Sequence, residues 1–291
     1  MNILKAKHLG MCFGVKNAIN LASKVSDTTK LTILGELVHN DYVLDSLKKK
    51  GIDFADCQSG IKNQTVMITA HGSSDRTISA LKGSGYEVIE ATCPLVKYVH
   101  TSVRRLVNEG YHPVIIGRKD HTEVRGIVGD LEEYDVILSP SDVSGLKARK
   151  KFGVVSQTTQ PIALVNELVD LIKKQFPESE VCFIDTVCAP TKLRQISAID
   201  IAKESDVVVV IGGRKSNNTK ELVNTCFKYC SRVYHIESAD ELIMEWFYNA
   251  QTIGITAGTS TPDELIDSVE EKILSFAKTI EASRAAVAAV A

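Results

Sequence analysis

Residues 89–100 read IEATCPLVKYVH: a short apolar strand pattern, then Cys93, then Pro94. Proline suits the first position of a helix, where its missing N–H has no helical partner and its φ is already set. Leu95, Val96, Val99, Val103 and Leu106 follow at helical spacing, so the stretch predicts strand, cysteine, amphipathic helix. The same order occurs twice more. MNILKAKHLGMCFGVKNAI (1–19) sets Cys12 before Val15, Ala18, Ile19 and Ala22, and VCFIDTVCAPTKLRQI (181–196) sets Cys188 before Leu193, Ile196, Ile199 and Ala202.

The repetition continues past each helix. A strand ending in glycine leads into a polar loop in LTILGELVHNDYV, PVIIGRKDHTEVRG and VVVVIGGRKSNNTKEL. Cys12 to Gly35 is 23 residues, Cys93 to Gly117 is 24, and Cys188 to Gly212 is 24. Four residues beyond these glycines lie His39, His121 and Ser216. A third strand then ends in small polar residues: VMITAHGSS, FGVVSQTTQ and TIGITAGTS. Here the offsets are looser, 59 from Cys12 to His71 and 65 from Cys93 to Thr158.

Three such passes predict an α/β protein of three similar lobes with mainly parallel sheets, at residues 13–93, 94–187 and 188–281. Residues 1–12 form the strand leading to Cys12 and have no assigned lobe; 282–291 are an Ala-rich tail. Ligands of parallel sheets gather at the carboxyl ends of the strands. Packed as a trefoil about a pseudo-threefold axis, the lobes bring three thiols to one centre, ringed by His, Thr, Ser and Asn. A cysteine at a helix N-terminus is also where the helix dipole favours an anion.

Composition narrows the function classes. Of 291 residues, 44% are hydrophobic and 24% charged, ordinary for a soluble domain, and the net charge of −2 recommends neither a nucleic-acid nor an anionic-membrane partner. The longest aliphatic run, residues 207–211, is too short to span a bilayer, and the N-terminus lacks the pattern of a signal peptide, so a cytoplasmic location is expected. Seven cysteines in such a chain read as thiols or metal ligands before disulfides.

A single cysteine is most often a small buried hydrophobe. Three at equivalent repeat positions weaken that explanation, whereas Cys57, Cys182, Cys226 and Cys230 break the repeat and keep it. CFKYC puts Cys226 and Cys230 on one helix face, with no further ligand nearby to complete a site. Three thiolates without an obvious fourth fit zinc with an open position or a 4Fe-4S cluster with one iron free of protein ligands. No CxxC pair occurs, which favours the cluster.

The polar positions have bland alternatives too. One histidine at a strand end is usually a structural group, but His39, His71 and His121 at converging positions point to anion binding or proton transfer. Ser216, Asn217 and Asn218 open an amphipathic helix, where capping and phosphate binding use the same groups. Ser260, Thr158 and Thr159 end third strands. Glu123, two residues after His121, is a solvated helix-start carboxylate or, beside a metal and a histidine, a proton donor.

CFGVKNAI, GELVHN, AHGSS, ATCPLV, HTEVRG, SQTT, CAPTKLRQ, SNNTKEL and TAGTS, in this order over nearly the whole chain, resemble the 4-hydroxy-3-methylbut-2-enyl diphosphate reductases of the LytB family. The resemblance implies a trefoil around one 4Fe-4S cluster held by Cys12, Cys93 and Cys188, with one open iron site. It implies two-electron reductive dehydroxylation of an allylic diphosphate to isopentenyl and dimethylallyl diphosphate. It further implies a transient protein electron donor, ferredoxin or flavodoxin. Carried across, His39, His71, His121, Ser216, Asn217, Asn218 and Ser260 hold the diphosphate. Glu123 starts a proton relay in which His121 takes part, and Thr158 and Thr159 order the hydroxyl and water. Two positions depart from the family: Thr122 stands where proline is usual, and Asn217 where a serine is usual. A monomer is expected. The alternatives are a zinc-dependent hydrolase or lyase of a phosphorylated metabolite, using the same groups without electrons, and a non-catalytic phosphometabolite-binding module.

Overall fold

The computed structural model describes residues 1–288. The chain begins β1 (Asn2–Lys5), α1 (Phe13–Ser26), β2 (Leu31–Leu34), α2 (Asp41–Lys49), β3 (Asp53–Ala55), β4 (Thr65–Ile68), α3 (Asp75–Gly83) and β5 (Glu87–Glu90). It continues with α4 (Pro94–Asn108), β6 (His112–Ile116), α5 (Thr122–Val128), β7 (Asp135–Ile137), α6 (Pro140–Ser144), β8 (Lys151–Ser156), α7 (Ile162–Gln175) and β9 (Glu180–Phe183). Last come α8 (Ala189–Glu204), β10 (Val207–Ile211), α9 (Asn217–Phe227), β11 (Val233–Ile236), β12 (Thr252–Ala257) and α10 (Asp263–Ala288).

Among the described residues the strands form three parallel four-stranded sheets, ordered β1-β12-β10-β11, β5-β4-β2-β3 and β9-β8-β6-β7. The orders are equivalent. In each, the edge strand leads to a cysteine, the next is the third strand of a repeat, and the next ends at its glycine. The fold class expected from the repeats is therefore present, and the unassigned N-terminal strand has a place. β1 pairs with β12, Ile3 opposite Ile253 and Leu4 opposite Gly254, and so completes the sheet of the last repeat.

The chain makes two compact units. One comprises Met1–Cys12, His39–Asp41 and Ala189–Ala291 and holds the sheet containing β1. The other comprises Phe13–Val38 and Tyr42–Cys188 and holds the remaining two sheets.

Central strands are buried on both faces, which is why they read as continuous β-branched runs. In the first unit Val207, Val209 and Ile211 of β10 pack with Ile266, Val269 and Ile273 of α10, while Val208 and Val210 meet Ala198, Ala202, Leu222 and Cys226. In the second, Val114, Ile116 and Val154 pack on α7 through Val165, Leu168 and Ile172. Ile115 and Val155 pack on Val99, Val103 and Leu106 of α4 and on Val124 and Ile127 of α5. Each such aliphatic side chain contributes about 1.5–3 kcal/mol by leaving water. α5, which carries Glu123, is thus fixed by core contacts on one side.

Two expectations are corrected. Leu193 and Ile196 of α8 are 42% and 56% exposed; the helix buries Ala202 as its spacing predicts, but with it Thr191, Arg194, Gln195 and Ala198. Arg194 turns inward because its guanidinium donates twice to the carbonyl of Gly10, at 3.0 and 2.7 Å. Cys226 and Cys230 do not share a helix face: α9 ends at Phe227, and both thiols pack in the core. Residues 282–288 of the Ala-rich tail continue α10, and the remainder lies outside the described residues. No helix among the described residues is long and apolar enough to cross a membrane.

Ile115→Ala should cost about 2–5 kcal/mol in urea unfolding, because a fully buried side chain leaves a cavity. Ile196→Ala should stay within about 0.5 kcal/mol of the parent. Equal losses in the two variants would contradict the exposed setting of Ile196.

Candidate active site

A single backbone arrangement presents all three thiols. Two residues beyond each third strand, a carbonyl accepts the N–H of a cysteine: Thr259 from Cys12, Ala70 from Cys93 and Thr158 from Cys188, each at 3.0 Å. The glycines recur in the same way. Gly35, Gly117 and Gly212 donate N–H to Ala55, Ile137 and Ile236, the last residues of β3, β7 and β11, at 2.8, 2.9 and 2.9 Å. Each cysteine immediately precedes a helix, and Cys93 is the N-cap of α4 with Pro94 next to it. All three are half-buried. Cys226, by contrast, is buried, and desolvation pushes its thiol up to about 12, which keeps it protonated and inert.

The loop carrying Cys12 needs glycine. Gly10 has φ +73°, and a Cβ there would stand 2.7 Å from Ile266 Cδ1. Its N–H donates to Ala257 at 3.2 Å, and its carbonyl receives Arg194.

In the larger unit, the predicted residues are joined by a continuous path. Glu123 is 1% exposed, one residue inside α5. Its carboxylate accepts the Thr158 N–H at 2.6 Å and the Thr158 hydroxyl at 2.9 Å. Burial raises its pKa from 4.5 to about 7, and the two bonds from Thr158 pull the other way. His121 caps α5, its Nδ1 accepting the Glu123 N–H at 3.2 Å, and its ring meets His71 edge to face at 5.5 Å. His71 follows Ala70, which holds Cys93, and Thr158 holds Cys188. The capping role of His121 does not need a proline after it: Thr122 takes the first helical position, with His121 as N-cap and Glu123 next in the first turn.

The smaller unit groups the others. Ser216 caps α9, its hydroxyl accepting the Thr219 N–H at 3.3 Å. Asn217 and Asn218 are buried in the first turn, and Asn218 Oδ1 accepts the Thr259 N–H at 3.0 Å. The neighbouring Ser260 hydroxyl donates to the His39 carbonyl at 3.3 Å. A Cβ on Gly213 would lie 2.3 Å from that same carbonyl, so only glycine admits the approach of His39.

Two participants escaped the sequence reading. Gln157 is fully buried and accepts the Arg118 N–H at 3.1 Å while donating to Thr159 Oγ1 at 3.0 Å, which orients the Thr158–Thr159 loop. Arg194 secures the Cys12 loop. The available signals were a glutamine closing an apolar strand and an arginine on the buried stripe of a helix.

Parallel sheets with thiols and a protonatable carboxyl at their carboxyl ends define a metal- or cluster-dependent α/β enzyme class. The LytB protein family matches residues 3–274. Two relatives named 4-hydroxy-3-methylbut-2-enyl diphosphate reductase are similar to the chain. That of Geobacter sulfurreducens is 39% identical, covering 95% of this chain and 98% of its own. That of Aquifex aeolicus is 38% identical, covering 94% and 96%. A solved structure of (E)-4-hydroxy-3-methyl-but-2-enyl diphosphate reductase, the terminal enzyme of the non-mevalonate pathway, matches with TM-score 0.69 at 38% identity, covering 94% of this chain and all of its own. The Plasmodium falciparum E-1-hydroxy-2-methyl-but-2-enyl-4-diphosphate reductase matches with TM-score 0.87 at 27% identity, covering 91% and 86%. The chain belongs to the LytB family, a family of iron–sulfur enzymes. The zinc hydrolase or lyase alternative finds no support among these relatives.

Glu123 binds its proton more tightly folded, at about 7, than unfolded, at 4.5. That contribution to stability is fully present below the unfolded value and is lost as pH rises through the folded one. Glu123→Gln keeps an acceptor for Thr158 but cannot ionise, so it should flatten the fall in urea stability between about pH 5 and pH 8. The same slope in the variant and the parent would contradict burial of an ionising group.

Proposed function

We propose that the protein is a 4-hydroxy-3-methylbut-2-enyl diphosphate reductase. Substrate, two electrons and two protons give isopentenyl or dimethylallyl diphosphate and water. The observation that carries this reading is the thrice-repeated cysteine corner together with a buried, protonatable Glu123. The proposed ligands are Cys12, Cys93 and Cys188, and the proposed cofactor is one 4Fe-4S cluster with one iron open. The donor set fits it: three half-buried thiols, each at a helix start and each on the same backbone bond, are soft ligands suited to iron–sulfur chemistry. When bound, the cluster supplies electrons and a Lewis-acidic iron.

The chain's own residues do the rest. Hydrogen-bonding groups of His39, His71, His121, Ser216, Asn217, Asn218 and Ser260 bind the diphosphate, and that binding energy fixes the carbon skeleton. Hydroxide is a poor leaving group, so a proton must arrive as the C–O bond breaks. Glu123, half-protonated near neutrality, holds it. The Thr158 hydroxyl, bonded to Glu123, carries the proton onward, and Thr159 orders water beside it. The proposed lobes run 13–93, 94–187 and 188–281. The proposed electron donor is ferredoxin or flavodoxin, acting on a cytoplasmic monomer.

Protein purified without oxygen should be brown, hold about four irons and turn over the diphosphate with a reductant. Cys93→Ser should lose most iron and activity. Glu123→Gln should keep its colour and substrate binding while turnover falls about 10²-fold or more. Colourless, iron-free parent protein, or near-normal turnover in Glu123→Gln, would overturn the assignment or the role.

A further inference from the structure

Asn218 and Glu123 occupy the same station in two different sheets. Each lies six residues after a strand-ending glycine, Gly212 or Gly117. Each accepts the backbone N–H of the residue two beyond a third strand: Thr259 to Asn218 Oδ1 at 3.0 Å, and Thr158 to Glu123 Oε1 at 2.6 Å. Those two residues are the ones whose carbonyls receive the N–H groups of Cys12 and Cys188. A side-chain acceptor therefore pins the N–H side of each loop, and a cysteine pins its C=O side. One sheet uses a carboxyl group for the task and the other an amide.

The amide has a second end. Asn218 is buried, and its Nδ2 has no hydrogen-bond partner among the described residues. A buried donor is ordinarily satisfied, so the nitrogen is held in its orientation by the bond at the oxygen, with its hydrogens left for a ligand. The other restraints on the Cys12 loop, Gly10 to Ala257 and Arg194 to Gly10, act two residues upstream. At the other end Gly258 and Thr261 bond to the Ile211 carbonyl on either side of Thr259, and Asn218 supplies the bond at the Thr259 N–H itself.

We infer that Asn218 is a positioning residue for Cys12. Its amide oxygen fixes the Thr259 backbone that holds the cysteine N–H, and the planar amide ties that loop to an anion bound at its nitrogen. The inference rests on Cys12 being a cluster ligand and the anion being the substrate diphosphate. Asparagine suits the post because one rigid group accepts at one end and donates at the other. Aspartate keeps only the acceptor, and alanine keeps neither.

The test uses full-length protein purified without oxygen, as parent, Asn218→Asp and Asn218→Ala. Amide hydrogen exchange is read at Thr259 and Cys12, iron release is read against a chelator, and KM is read for the diphosphate. Asn218→Ala should speed exchange at both amides and iron release by about tenfold or more, the scale of one lost hydrogen bond. Asn218→Asp should hold both rates within about twofold of the parent, since the acceptor is kept, while KM rises at least about tenfold from lost donation and added negative charge. Parent-like exchange and iron retention in Asn218→Ala would overturn the inference, as would exchange in Asn218→Asp as fast as in Asn218→Ala. If Asn218→Ala fails to fold, Asn218→Asp decides alone: parent-like exchange with raised KM supports the positioning role, and fast exchange ends it. A parent without iron would defeat the proposed function, while exchange at Thr259 and Cys12 would still judge the positioning role separately.

Discussion

The N–H of each repeat cysteine is bonded to a carbonyl just past the neighbouring strand, and the geometry of the candidate site follows from that bond. A cysteine between a strand and a helix could face many ways. The bond fixes its backbone against the sheet, and the helix that starts at the next residue fixes the exit direction. Since the accepting residue has the same offset from its strand in all three sheets, the thiols share one backbone setting rather than three accidental ones. The sheet equivalence extends to the glycine corners, whose N–H bonds to the far-edge strands agree within 0.1 Å of one another.

Electrostatics divide the remaining labour. Cys226 and Glu123 are both buried, and burial disfavours the charged form of each. For Cys226 the result is an inert thiol in the core. For Glu123 the two Thr158 bonds offset part of the penalty and leave its proton exchangeable near neutral pH. The helix that carries Glu123 is packed through Val124 and Ile127, so the carboxyl group is held in its apolar setting by core contacts rather than by a flexible loop.

Much of this was legible in the sequence. Strand–cysteine–helix order, the near-constant cysteine-to-glycine interval and the polar loops marked the three sheets, because parallel strands buried on both faces produce apolar runs ended by turn residues. What stayed hidden depended on contacts distant along the chain. β1 could not be assigned by periodicity because its partner, β12, lies about 250 residues away in sequence, and only pairing reveals it. The stripe of α8 was misread because a hydrophobic template places Leu193 and Ile196 inward, whereas the Gly10 carbonyl draws Arg194 there instead. Gln157, although it stands within SQTT, had no legible role because its part comes from hydrogen bonds to Arg118 and Thr159.

Mössbauer spectroscopy of oxygen-protected protein grown on enriched iron tests the central claim most directly, because it counts iron environments without relying on turnover. The proposed cluster, with one iron lacking a protein ligand, predicts one iron distinct from the other three, with that iron responding most to added diphosphate substrate. Four equivalent irons indifferent to that substrate, or protein carrying zinc in place of iron, would contradict it.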